Sequence, residues 1–239
     1  MIRIIAPIFV DKGLAYQTLG FNSGFRPLGA IDNILRVYNK QEVDEIFIAA
    51  KNDDKKALDE MLLASISRLN IQTPLIYSGG IKSVDDIKRC LDSGVDRIAV
   101  NSILYTPKEL DKLITYIGVQ GIVAVCPFKK NDNEYMFYNT STGLFGNKIN
   151  HISYLMSLDL EFFLIDANAD GTTQNFDLNV LDLFGDKSLI IQGGRISFDK
   201  ISNRNINAVS IENRLLWSEV KYFKIKSSAN HLMQRKVKL

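Results

Sequence analysis

Two glycine pairs sit where an anion could be held. Gly79-Gly80 and Gly193-Gly194 each follow a short apolar run and lead into a helical pattern. A strand that turns through glycines into a helix leaves backbone N–H groups unspent, and such groups hold phosphate oxygens. The two pairs belong to one repeated passage. Residues 75–87 read LIYSGGIKSVDDI and residues 189–201 read LIIQGGRISFDKI, in the same register and without a gap. Each copy continues into a second apolar run that ends on polar residues, Asn101-Ser102 in the first and Glu212-Asn213 in the second. The expectation is two phosphate-sized sites on one scaffold. Gly79, Gly80, Asn101 and Ser102 form the first; Gly193, Gly194 and Asn213, with Gly171 and Thr172 of a neighbouring loop, form the second. Glu212 weighs against the second, because a carboxylate repels phosphate unless it is protonated or paired. Arg195 and Arg214 are the cations that could offset it.

Other reactive residues are sparse. His151 and His231 are the only histidines, and neither stands near a Cys or carboxylate cluster, so no metal site is expected. No P-loop is present and no GxGxxG follows a strand, so no cofactor is expected. Cys90 and Cys126 fall on a predicted helix and a predicted strand and read as packed thiols, not a disulfide.

The elements that must position these residues alternate along the chain. Near-continuous apolar runs predict strands at 2–9, 45–50, 74–77, 97–101, 121–126, 162–166, 188–192 and 208–211. Helical patterns lie between them at 30–39, 54–68, 84–93, 107–117, 149–157, 179–184 and 198–201, with a final piece after Leu215. Eight strands alternating with helices, in two like halves, predict a single (β/α)8 TIM barrel over residues 1–239. The second copy of the repeat has a shortened helix, with Ser202-Asn-Arg-Asn205 in place of its last turn. Two polar segments, 11–28 and 131–146, interrupt the pattern after the first and fifth strands; the first reads as a lid or surface loop, the second as a small hairpin.

Bulk properties narrow the partners. A 239-residue chain that is 46% hydrophobic can bury a full core, and a net charge of +2 does not mark a nucleic-acid binder. The basic tail 234–239 reads as a solvated end. No apolar run reaches the ~18 residues of a membrane span. The opening MIRIIAPIFV lacks a following small-residue cleavage site and reads as a buried strand, so a cytoplasmic protein is expected.

Taken together, the residues resemble a known family. The half-barrel repeat, the SGGIKS turn, the Val100-Asn101-Ser102 strand end, Asn168-Ala-Asp-Gly-Thr172 and the opening Arg3-Ile-Ile-Ala-Pro-Ile8 look like the cyclase subunit of imidazole glycerol phosphate synthase. The resemblance runs from Ile2 to about Leu216. It extends to the divergent members associated with surface-polysaccharide amidination. It implies a separate glutaminase partner, forming a heterodimer, whose ammonia crosses the barrel to its C-terminal face. There a phosphorylated small molecule, in the family one with phosphates at both ends, is cleaved and cyclised.

The resemblance also assigns residues. The family's two catalytic aspartates, ending strands one and five, correspond to Phe9 and Pro127, neither of which transfers a proton. Asp11, two residues past Phe9, and Asp170 are the carboxylates left as candidates, with Lys12, Lys129 and Lys130 nearby. Asp170 could equally serve only to close its Asp-Gly turn. The lysine of the family's first loop corresponds to Gln17, and the aspartate ending strand two to Ala50. At the other face, Arg3, Glu45, Arg97 and Glu161 match the charge ring that gates ammonia entry, and Asp96 matches a glutaminase contact. A purely structural ring of ion pairs is the alternative there. The expected function is a cyclase-like synthase subunit of a glutamine amidotransferase. The alternative is an inactive barrel that scaffolds or activates its glutaminase.

Overall fold

A computed structural model describes residues 2–19, 21, 23–41, 43–51, 57–132, 134–146, 152–201 and 205–211. In chain order the elements begin with β1 (Arg3–Asp11), β2 (Leu14–Leu19), β3 (Ser23–Ala30), α1 (Ile31–Lys40) and β4 (Glu45–Ala50). They continue with α2 (Glu60–Leu69), β5 (Leu75–Ser78), α3 (Val84–Asp92), β6 (Arg97–Val100), α4 (Pro107–Ile117) and β7 (Ile122–Asn131). Then come β8 (Glu134–Asn139), β9 (Leu144–Gly146), α5 (Ile152–Ser157) and β10 (Glu161–Asp166). A 3-10 segment at Leu178–Leu183, β11 (Leu189–Gln192), α6 (Phe198–Ile201) and β12 (Ile206–Ser210) complete the series.

Eight of these strands, β1, β4, β5, β6, β7, β10, β11 and β12, pair in parallel, and each matches a predicted run. The β12–β1 and β7–β10 pairings close the sheet on itself, which makes the predicted (β/α)8 barrel. Both faces of the strands are covered, so they carry unbroken apolar runs; in β7 every residue from Ile122 to Phe128 is buried. Ile5, Phe47, Ile76, Ala99, Val123, Phe163 and Ile190 fill the barrel axis, with Phe47 and Phe163 edge to face at 4.8 Å. A larger apolar layer lies between the strands and the outer helices and includes Ile4, Ile46, Leu35, Leu63 and Leu164. Cys90 and Cys126 are buried and unpaired, as predicted, and burial pushes both thiols up to about 12.

The repeat is visible as β5-α3-β6 and β11-α6-β12. The first copy is complete. Ser83 caps α3 and Asp86 returns the bond in a capping box, which fixes where the helix starts. In the second copy the described part of the helix is α6, four residues ending at Ile201. The helix predicted from residue 54 begins instead at Glu60, because Asp59 accepts from Leu62 N–H and caps it there. The helix predicted after Leu215, together with Glu212, Asn213, Arg214, His151 and His231, lies outside the described residues. Among the described residues no helix is long and apolar enough to cross a membrane.

One expectation is corrected. Segment 11–28, read as a lid or a surface loop, carries an antiparallel hairpin, β2–β3, laid on an extension of β1. Lys12 and Gly13 both take positive φ (50° and 75°) in a two-residue turn, the geometry that matches strand twist. The fifth strand runs past its predicted end to Asn131 and carries β8 and β9, as the predicted hairpin required.

Phe163 is fully buried on the barrel axis. Phe163→Ala is expected to cost about 3–5 kcal/mol, read as a lowered urea midpoint.

Candidate functional site

A cavity of about 830 Å³ opens at the C-terminal end of the barrel. Its floor is the top of the axial packing, Phe47, Ala99, Val125 and Ile165. Its roof is where the two inserted hairpins meet. Phe21, at the tip between β2 and β3, packs edge-on against Tyr138 of β8 at 5.2 Å and against Phe145 of β9 at 6.2 Å. Strand ends at one face of a barrel are where such folds place their sites.

All four residues expected at the first phosphate site line this cavity: Gly79, Gly80, Asn101 and Ser102. Gly80 stands at φ +71°, and a Cβ there would strike the Ala57 carbonyl, so only glycine fits the turn. The N–H groups of Gly80 and Ile81 and the hydroxyl of Ser102 donate to nothing among the described residues. Asn101 differs. Its amide donates to Val125 O and Tyr138 O, both at 2.9 Å, and its Oδ1 accepts from Thr140 N–H at 2.8 Å. Its donors are spent on latching β8 to the barrel, and that leaves the backbone and Ser102 to meet an anion. Of the residues expected at the second site, Gly171, Thr172, Gly193 and Gly194 all stand outside the cavity lining.

Among the described residues, Asp170 is the one carboxylate in the lining. It is 2% exposed. Its Oδ2 accepts from the Thr18 hydroxyl at 2.9 Å and from Phe21 N–H at 3.1 Å; its Oδ1 accepts from Gln192 Nε2 at 3.3 Å. Burial raises its pKa above the ordinary carboxylate value, opposed by those three donors. Phe9 and Pro127 line the wall, with Gln17 and Ala50. Asp11, the other catalytic candidate, stays outside the lining and lies 3.5 Å from Lys51 Nζ. Lys129 sits over the Phe145 ring at 4.7 Å, and Lys130 lies 3.8 Å from Asp177. The lining cations are Lys51 and Lys82.

At the opposite mouth the four expected charges form a closed ring. Arg3 pairs with Glu45 at 2.7 Å and with Glu161; Arg97 pairs with Glu161 at 2.8 Å and approaches Glu45 at 3.6 Å. Ser188 donates a further bond to Glu161 at 3.0 Å. Burial raises the pKa of Glu45, Arg3 and Arg97 pull it back, and Glu161 adds to the rise. Asp96, beside the ring, accepts from Leu75 N–H at 2.8 Å and so caps the start of β5.

Sequence reasoning missed the residues that shape the cavity from the inserts. Thr18, Phe21 and Tyr138 carry no motif, and only the hairpin geometry brings them in. Gln192 had a usable signal, since it directly precedes the second glycine pair as Ser78 precedes the first.

Comparison with known proteins bears on this geometry. The profile of a family described as "Histidine biosynthesis protein" matches residues 20–209. A putative imidazole glycerol phosphate synthase subunit HisF of Leptospira interrogans is 31% identical over 196 residues, covering 76% of this chain and 74% of the relative. A putative subunit hisF2 of Campylobacter jejuni is 26% identical over 233 residues, covering 92% of this chain and 91% of the relative. The HisF subunit of Buchnera aphidicola is 35% identical over 142 residues, 56% of this chain and 53% of the relative.

Asn101→Ala strips the latch from β8 and leaves the Tyr138 carbonyl without the Asn101 donor. The expected cost is about 1–3 kcal/mol. Faster protease cleavage between residues 139 and 143, seen by mass spectrometry, is the local readout.

Proposed function

The chain belongs to the histidine biosynthesis protein family, as a divergent HisF-like cyclase subunit, and from that premise we propose that it is the synthase half of a glutamine amidotransferase. A glutaminase partner docks at the N-terminal mouth, against the ring of Arg3, Glu45, Arg97 and Glu161 and beside Asp96. Ammonia freed there enters the barrel past the ring. It crosses the apolar interior as the neutral molecule, with the Phe47 and Phe163 rings moving to let it by. A phosphorylated small molecule waits in the cavity, its phosphate held by the N–H groups of Gly80 and Ile81 and by the Ser102 hydroxyl. The observation that carries this reading is one cavity that joins those unspent donors to the buried Asp170 carboxylate, on the axis of a barrel whose other mouth is closed by paired charges.

Asp170 is the proton carrier in this proposal. Its raised pKa keeps the carboxyl protonated to higher pH than a free aspartate, so it suits a general acid. The sign follows: the acid is present below the folded pKa, and activity falls as pH rises through it. The paired acid and base of standard cyclisation are lacking at Phe9 and Pro127, and each such group usually contributes about 10²–10⁴-fold. The acceptor is therefore either the histidine-pathway substrate, turned over slowly, or an activated surface-sugar intermediate that needs ammonia addition and one proton. A second reading draws on the same two positions: an inactive barrel that activates its glutaminase would also tolerate Phe9 and Pro127 in the wall.

The test is a reconstituted pair with its glutaminase. Asp170→Asn is expected to lower product formation about 10²–10⁴-fold and to leave glutamine hydrolysis intact. Glu161→Gln opens the ring and is expected to reduce glutamine-driven product while ammonium salts still support it. Stimulated glutaminase with no ammonia-dependent product from the wild type selects the inactive barrel instead.

A further inference from the structure

The two copies of the glycine turn have parted in what they leave available. At the first, Gly80, Ile81 and Ser102 line the cavity with donors that nothing among the described residues takes. At the second, Arg195 stands in register with Ile81. Its N–H donates to the Gln174 carbonyl at 2.7 Å, and Phe176 N–H donates back to the Arg195 carbonyl at 3.1 Å. Asn175 and Arg195 thereby form a short parallel bridge, laid across the turn. Thr172 is consumed locally as well: its hydroxyl donates to Ala169 O at 2.8 Å and accepts from Gln174 N–H at 3.1 Å. Gly171 and Gly194 each have a further interaction with the rest of the chain. The N–H of Arg195, counterpart of the Ile81 N–H at the first turn, is thus spent on the chain's own backbone.

The cavity's lining agrees. Its cations, Lys51 and Lys82, end β4 and follow the first glycine pair, both in the first half of the barrel. Among the described residues, the polar lining of the other half is Tyr138, Thr140, Ser141, Asp170 and Gln192, without a cation. Among the described lining residues, a second phosphate there would face the buried Asp170 carboxyl with no cation beside it, an unfavourable arrangement. Away from the first turn the cavity also offers aromatic surface, Phe9, Tyr16, Phe21 and Tyr138, beside the polar Gln17, Thr18, Thr140 and Ser141. Such faces bind rings by stacking and edge contacts.

We infer that the cavity takes a phosphate monoester with one anionic end, seated at Gly80, Ile81 and Ser102, and an uncharged ring-bearing body packed on Phe9, Tyr16, Phe21 and Tyr138. The inference rests on the reading of the first turn as a phosphate site, and it departs from the doubly phosphorylated substrate that the resemblance implies.

The experiment is calorimetric titration of the full chain with inorganic phosphate, phenyl phosphate, AMP, fructose 6-phosphate and fructose 1,6-bisphosphate. Phenyl phosphate or AMP is expected to bind at least about tenfold tighter than inorganic phosphate, the scale of a well-made ring contact. Tyr138→Leu should erase that advantage without weakening inorganic phosphate. The second phosphate of fructose 1,6-bisphosphate should add nothing over fructose 6-phosphate. Ser102→Ala should weaken every ligand. The inference is overturned if neither ring ester outbinds inorganic phosphate. It is equally overturned if the bisphosphate gains about tenfold or more, the least expected of a second charge-assisted anchor, and loses that gain in Thr172→Val. If inorganic phosphate and all the esters fail to bind, or bind Ser102→Ala as tightly as the wild type, the first-turn reading itself fails and takes the inference with it.

Discussion

Hydrogen bonds between β7 and β10 close the sheet, and closure gives every second residue of eight strands one shared interior. The positions along each strand then become levels along an axis. On β1 the inward series is Arg3, Ile5, Pro7 and Phe9: a charge at one mouth, apolar bulk in the middle, a cavity wall at the other end. β4 runs Glu45, Phe47, Ala49, and β10 runs Glu161, Phe163, Ile165, in the same order. A slip of one residue in either strand would drive a glutamate into the apolar helix layer and expel a phenylalanine from the axis. Register is therefore fixed by the penalty for misplacing those charges, and the site at the top inherits its geometry from the bottom.

The mouth ring is tolerated because it is matched. Two guanidinium groups face two carboxylates, and each carboxylate lies within reach of both cations. Burial still weighs more on Glu45 than its partners do, since its pKa rises in spite of them. Directly above the ring the interior turns wholly apolar. Anything that moves between the mouths must be small and uncharged, and that physical filter gives the ammonia proposal its plausibility.

The halves of the barrel share a plan and differ in its use. β1 and β7 are the outgrown strands, one in each half, and each carries an antiparallel insert over the cavity. The inserts meet through Phe21, Tyr138 and Phe145, and Asp170 and Asn101 hold the ends that reach over the cavity. Asp170 thus works structurally through Thr18 and Phe21 while presenting its carboxyl to the cavity. The glycine turns beneath show the opposite history. At the first, the N–H groups of Gly80 and Ile81 meet no acceptor among the described residues, and at the second the Arg195 N–H donates to Gln174.

The eight strands, the repeat, the shortened second copy and the membership of the mouth ring were legible in the sequence. The strands, the repeat and its shortening follow from period, order and spacing, which are local properties of the chain; the mouth ring came from the family resemblance. The β2–β3 hairpin was misread because its strands are half-exposed and polar, and its positive-φ turn at Lys12-Gly13 gave a weaker signal than an Asn-Gly pair would. The availability of each donor could not be read at all. Asn101 looked like a phosphate ligand until its amide met Val125 and Tyr138, 24 and 37 residues away. Asp170 gained its partners from 152 and 149 residues upstream. The two glycine pairs are identical as text, and only the fold brings the Gln174 carbonyl to the N–H that follows the second. A hydrogen-bonding group has a fixed capacity, and the tertiary structure alone decides whether a distant segment or a ligand fills it.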